Sequence, residues 1–152
     1  MSPCLRGELK KSHMKHLLFF FALALPLFAT AQNQSVDKKK HKVVFQLTSS
    51  DTLVHKALIK QIRNVQAAAP NTKIEVVCHN NGITFLQTAT TKHAAQIREF
   101  SARGVDFVAC ENTMRDRKVK REELLGECRT VPAGVVEIML KQEKKWSYLK
   151  AG

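Results

Sequence analysis

Apolar residues recur along this chain in two alternating rhythms. Short unbroken apolar runs, rich in β-branched residues, are separated by longer stretches in which apolar positions return every three or four residues. Val43-Val44-Phe45-Gln46-Leu47 is the first run and reads as a buried strand. Ser49, Ser50 and Asp51 follow and can cap a helix, in which Val54, Leu58, Ile62 and Val65 form one stripe with Lys56, Lys60 and Arg63 off it. Pro70-Asn71 ends that helix.

Ile74 to Cys78 (IEVVC) predicts a second strand, with the turn-rich loop His79-Asn80-Asn81-Gly82 at its carboxyl end. Leu86 and Ala89 are expected to begin a short helix. Ala94, Ala95, Ile97, Arg98 and Phe100 carry another, ending near Gly104. Val105 to Ala109 predicts a third strand, with Cys110 directly after it and Asn112-Thr113 as a cap for the next helical stretch. Arg121 to Leu125 reads as a further helical turn, and Thr130-Val131 as a short fourth strand leading to Pro132. Val135, Ile138, Met139 and Gln142 lie in helical register, and Trp146 to Leu149 closes the chain as an edge strand or docking tail. Strand and helix alternate throughout. The expected class is therefore α/β, an open, mainly parallel sheet of about five strands with helices on both faces.

The first 31 residues follow a different rule. Lys10, Lys11, Lys15 and His16 precede an apolar run of 13 residues, Leu17 to Ala29, which ends in the small-x-small pattern Ala29-Thr30-Ala31. That is the layout of a secretory signal peptide, too short for the roughly 20 apolar residues of a membrane span. Residues 1–31 are expected to be the signal peptide, cleaved after Ala31, with Met14 an alternative start that would make residues 1–13 an extension. Residues 32–41 form a flexible basic leader, and residues 42–150 a single domain. The expected location is periplasmic or secreted, with no membrane attachment after cleavage.

From Gln32 onward the chain carries 21 Lys+Arg against 12 Asp+Glu. Such a balance attracts anions in general, but export argues against nucleic acid as the partner, and a charge run is usually a solvated face. Cys78, Cys110 and Cys128 remain after cleavage. An odd number leaves at least one thiol unpaired within the chain, and their spacing fits no metal site, so neither metal nor cofactor is expected. The chain also lacks G-x-S-x-G, P-loop, G-x-G-x-x-G and H-E-x-x-H patterns.

In an open α/β sheet, ligands bind beyond the carboxyl ends of the strands. Three polar loops meet that description: Thr48 to Asp51, Cys78 to Gly82 and Cys110 to Thr113. Cys110, between a strand and a helix start, is the candidate nucleophile, because backbone N–H groups there favour the thiolate. Arg115 and Arg117 add positive charge nearby. Asn112 and Thr113 would shape the helix start, Asn80, Gly82, Thr113 and Arg115 are candidate substrate-binding positions, and His79 is a candidate proton carrier. Cys78 reads as a core residue, whereas Cys128, in the polar stretch Gly126-Glu127-Cys128-Arg129, is expected to be exposed and able to resolve an oxidised Cys110.

The segments VVFQLTSSD, IEVVCHNNGI, GVDFVACENTMRDRKVKREELL and TVPAGVVEIMLKQEKKWSYLKAG, in that order, resemble the DsrE/DsrF family over residues 41–150. The pair ACENTM and VPAGVVEI…WSYLK at their mutual distance is the most specific part. The resemblance implies a flavodoxin-like, DsrEFH-like parallel sheet, assembly as dimers, trimers or hexamers, and sulfur relay through a persulfide on a cysteine that follows a central strand. Cys110 matches that cysteine, which also implies a sulfur donor or acceptor protein as partner. Two features depart from the pattern. The well-studied relay proteins are cytoplasmic, and a loop that is often glycine-rich in exported members reads His79-Asn80-Asn81-Gly82 here. Three functions stay open from sequence: a sulfur carrier or sulfurtransferase, a non-catalytic ligand-binding or assembly module with Val135, Ile138 and Trp146 at an oligomer interface, and a thiol redox protein.

Overall fold

Five strands, all parallel, form one sheet in the order β4-β3-β2-β1-β5. They are β1 Lys42–Leu47, β2 Lys73–Cys78, β3 Asp106–Cys110, β4 Cys128–Val131 and β5 Ser147–Lys150. Four helices connect them: α1 Thr52–Ala68, α2 Ala94–Ala102, α3 Glu111–Asp116 and α4 Gly134–Glu143. The computed structural model describes residues 36–152; the expected signal peptide and residues 32–35 of the leader lie outside the described residues. Among the described residues no helix is long and apolar enough to cross a membrane.

The chain lays β1 to β4 outward in one direction and then returns to place β5 beside β1. Crossovers that keep one hand must change face when the direction reverses. Accordingly, among the described residues α1, α2 and α3 cover one face and α4 alone covers the other. The first core holds Phe45, Phe85, Phe100 and Phe107, each fully buried, with Leu58 and Ile62 of α1 and Ile97 of α2. Each such side chain stabilises the fold by roughly 1.5–3 kcal/mol through burial. The second core is a row of valines, Val44, Val77, Val108 and Val131, under Ile138 of α4. Asp51 caps α1 as its spacing predicts, its side chain accepting the N–H of Leu53 at 2.8 Å.

The α4 helix is held at both ends. Its first residue, Gly134, lies over the carboxyl end of β3, and its last turns lie over a charged cluster at the opposite end of the strands. There Glu75, 1% exposed, meets Arg129 at 3.2 Å and also Lys141, while Glu137 bonds Arg129 at 2.9 Å and Asp106 bonds Arg129 at 2.9 Å. Burial raises the Glu75 carboxyl to about 7, against the pull of Lys141 and Arg129.

Several local expectations are corrected. No α-helix starts at Leu86; a tight 3-10 turn runs from Asn80 to Phe85, and Ile83, Phe85 and Leu86 are buried without helical periodicity. The loop lies so close to β1 that a Cβ on Gly82 would overlap the carbonyl oxygen of Leu47. Asn112 and Thr113 sit inside α3 rather than capping it; Cys110 itself occupies the cap position. The fourth strand begins at Cys128, not Thr130, so Cys128 pairs in register with Phe107 and is 2% exposed instead of lying in a loop. Ile138 is buried against the sheet and is unavailable to a partner, whereas Val135, Val136, Met139 and Leu140 of α4 are exposed. The end of the basic leader is tied down: the N–H of Asp37 donates to Ala68 O at 2.7 Å, and Asn71 donates to Lys38 O at 2.7 Å.

Candidate functional site

Successive residues of a strand face opposite sides of the sheet. Cys110 stands opposite Val131 in register, which places it on the valine face under α4, while Cys78 and Cys128 belong to the other core. The three cysteines among the described residues are all free, and the sheet itself separates Cys110 from the other two.

Cys110 is 5% exposed, among the valines of that face, but a backbone donor reaches its sulfur. Its Sγ accepts the N–H of Gly134, the first amide of α4, at 3.2 Å. Burial pushes the thiol pKa up, but the N–H of Gly134, the N–H and hydroxyl of Thr113 and the N–H of Asn112 together outweigh it, and the pKa is lowered. Thr113, 8% exposed, uses its oxygen to accept the N–H of Asn80 at 3.0 Å, which leaves its hydroxyl hydrogen for the sulfur. Two helix starts thus supply donors to one sulfur atom. By contrast, burial drives the Cys78 thiol well above its ordinary value and raises that of Cys128, whose S–H donates to Leu125 O at 3.1 Å.

Gly134 explains how α4 comes so close. A Cβ there would lie 3.1 Å from Val77 Cγ1, 3.2 Å from Cys110 Cβ and 3.4 Å from His79 Cβ. The same distances place His79 and Cys110 side by side at the ends of adjacent strands. The His79 ring is part-buried, which lowers its pKa, and its Nε2 lies 2.7 Å from Gln46 Nε2. His79, Asn80, Thr113, Asp116 and Arg117 line a cavity of about 500 Å³.

The remaining candidates fall into two groups. Asn80 holds a left-handed conformation (φ 53°), and its side chain and that of Asn81 accept hydrogen bonds from Arg117, at 2.7 Å in the case of Asn80. Arg117 is therefore the cation on the His79 side of Cys110. Arg115 donates to Asn112 Oδ1 and lines a separate cleft with Glu111, Met114 and Lys118. The N–H of Asn112 also donates to Pro132 O at 3.2 Å, fastening α3 to the loop before α4. Gly82 is buried against β1 and does not line the cavity. Sequence reading had no role for Gly134, Gln46 or Tyr148. For Gly134 the available signal was its position, the first residue of a helix directly after a strand. Among the described residues no group of three or more potential metal ligands occurs.

The comparisons agree with this architecture. The model of the DsrE/DsrF-like family matches residues 22–151. A solved structure from Methanobacterium thermoautotrophicum, the protein of unknown function MTH1491, is 30% identical, with a TM-score of 0.70 over 72% of this chain and 98% of its own. A protein of unknown function from Bacteroides thetaiotaomicron, BT1422, shares the fold at 12% identity, with a TM-score of 0.56 over 72% of this chain and 93% of its own. No curated protein matches.

Proposed function

The chain belongs to the DsrE/DsrF-like family, and from that premise we propose that it is an exported sulfur carrier that holds sulfane sulfur as a persulfide on Cys110. The observation that carries this reading is the N–H of Gly134 on the Cys110 sulfur at 3.2 Å, beside the start of α3, whose Thr113 and Asn112 also favour the lowered thiol pKa. Donors so arranged favour the thiolate, the form that attacks sulfur. The thiolate attacks the terminal sulfur of a donor persulfide, R–S–SH. The bond from that sulfur to R–S breaks, R–S⁻ leaves with the electron pair, and Cys110 keeps the S–SH group. Transfer to an acceptor thiolate is the same step in reverse. Arg117, Asn80 and His79 line the adjacent cavity and would meet the donor.

The test is incubation with a small-molecule persulfide followed by intact mass spectrometry. Wild type is expected to gain about 32 Da, one sulfur atom, and Cys110→Ser to gain nothing. Equal gain by both proteins sinks the carrier reading. Export is tested separately, by sequencing the N-terminus of protein recovered outside the cytoplasm, which should begin at Gln32.

Self-association is part of the same proposal. The exposed apolar residues Val135, Val136, Met139 and Leu140 lie on α4, whose first residue Gly134 meets Cys110, and a second copy seated there would border the site. Light scattering of the purified protein is expected to give a mass above that of one chain, and Met139→Lys to reduce it.

A further inference from the structure

At the opposite end of the sheet from Cys110, where the parallel strands begin, three separate segments bring their lysines together. Lys38-Lys39-Lys40 of the leader run into Lys42 at the start of β1, Lys73 opens β2 beside it in register, and Lys144-Lys145 precede β5 on its other side. Lys42 Nζ donates to Lys144 O at 3.0 Å, although 102 residues separate the two. All of these lysines are exposed, and among the described residues none of them makes an ion pair. Lys40, His41, Lys42, Asn71 and Lys73 line a cavity of about 510 Å³ whose lining includes no carboxylate. We infer that this end of the sheet is a docking surface for the anionic phosphates of a phospholipid bilayer, which holds the protein with its Cys110 end facing away from the membrane.

Charge and the path of the chain argue for that occupant. A run of lysines within one segment is usually a solvated face. Here the fold gathers like charges from three segments, and an anionic surface relieves their repulsion. Most carboxylates at this end are already engaged: Asp37 accepts from His41 at 3.1 Å, Asp106 from Arg129 at 2.9 Å and Glu127 from Arg98 at 3.1 Å, which leaves Glu143 exposed beside Lys144. The lysines spread over the starts of three adjacent strands, β2, β1 and β5, and so present a surface and not a pocket for one anion. The chain also enters here. The Asp37 N–H is bonded to Ala68 O at the end of α1. The apolar run that ends at Ala29 precedes Lys38 by nine residues, a span of at most about 30 Å. A chain whose apolar run is inserted for export therefore has these lysines within reach of lipid phosphates. The contact outlasts cleavage, because every one of the lysines follows Ala31, and it needs no spanning helix. It replaces the expectation that no membrane attachment remains.

The experiment is co-sedimentation with lipid vesicles of the chain from Gln32, which contains all five strands and both cores. One set of vesicles is pure phosphatidylcholine and the other is phosphatidylcholine mixed with phosphatidylglycerol. The protein is expected to pellet with the anionic vesicles at about 0.1 M salt, to be released at about 0.5 M, and not to bind the neutral ones. The triple change Lys40→Gln, Lys73→Gln, Lys144→Gln should weaken binding about 100-fold, each lysine contributing about fivefold. The triple change Lys56→Gln, Lys60→Gln, Arg63→Gln removes the same charge from the side of α1 and should leave binding within about twofold. Circular dichroism reports whether each variant is folded, and the wild-type dependence on lipid and salt stands without them. Alkylation of Cys110 should proceed on vesicles at the rate of the free protein. Equal binding to neutral vesicles overturns the inference, as do equal losses in the two triple variants, which would report net charge alone. Displacement from the vesicles by inorganic phosphate at constant ionic strength would assign a small-anion site instead, and protection of Cys110 by vesicles would overturn the orientation. Sulfur uptake plays no part in these outcomes, so the carrier reading stands or falls separately.

Discussion

The amide of Gly134 points at the sulfur of Cys110 across 3.2 Å, although 24 residues separate the two in the chain. The bond joins the end of a middle strand to the start of α4. It makes the state of the thiol depend on how closely α4 is seated.

The first prediction concerns that seating. Gly134→Ala crowds Val77, Cys110 and His79 by a few tenths of an ångström and is expected to shift α4 outward by about that much. The Cys110 thiol should titrate at higher pH in the variant, because the N–H donor withdraws while burial remains. Alkylation rate against pH measures this. A curve identical to that of wild type would remove Gly134 from the site.

Thr113→Val tests the second donor. The change preserves shape, deletes the hydroxyl that helps lower the Cys110 pKa, and leaves the Asn80 N–H without its acceptor. Alkylation at neutral pH should slow, and stability should fall by about 1–3 kcal/mol for the stranded N–H. Denaturant unfolding supplies the second number.

The two other thiols should behave as core atoms. Cys78 is fully buried with a strongly raised pKa, so it should resist alkylation in the native protein and react only on unfolding. Cys78→Ala should cost about 1 kcal/mol, and sulfur uptake at Cys110 should survive it. Rapid native alkylation of Cys78 would contradict its burial.

Glu75 sets a pH dependence of stability. Burial raises its folded pKa to about 7, from an ordinary value of 4.5. The folded state therefore binds the extra proton, and the associated stability is full below the unfolded pKa and lost as pH rises through about 7. The change amounts to at most about 3 kcal/mol, since Lys141 and Arg129 compensate part of the charge. Glu75→Gln should flatten the profile between pH 5 and 8. Lys141 and Arg129 keep Glu137 and Asp106 as partners, so the variant should be no less stable than wild type at the upper end. Unfolding curves at both pH values decide the matter.

Gly82→Ala should be among the most damaging single changes, because the added methyl meets backbone at Leu47 and backbone cannot step aside. A loss of about 3 kcal/mol is expected in thermal or denaturant unfolding.

The sequence by itself determined the parallel α/β class, the alternation of its elements, the cap at Asp51 and the place of Cys110 between strand and helix. All of these are written in local periodicity and in residue types a few positions apart. It misplaced Cys128, because the polar neighbours Glu127 and Arg129 suggest a loop, while a buried strand tolerates them when Arg129 finds carboxylates across the sheet. Only the tertiary structure decided which strand ends are neighbours, which face each cysteine takes, and which donors reach the sulfur. Gly134 meets Cys110 over 24 residues, Asn80 meets Thr113 over 33 and Tyr148 meets Gln46 over 102. Pairings at such separations follow from the order of strands and the side on which each crossover lies, and no local pattern in the chain encodes that order.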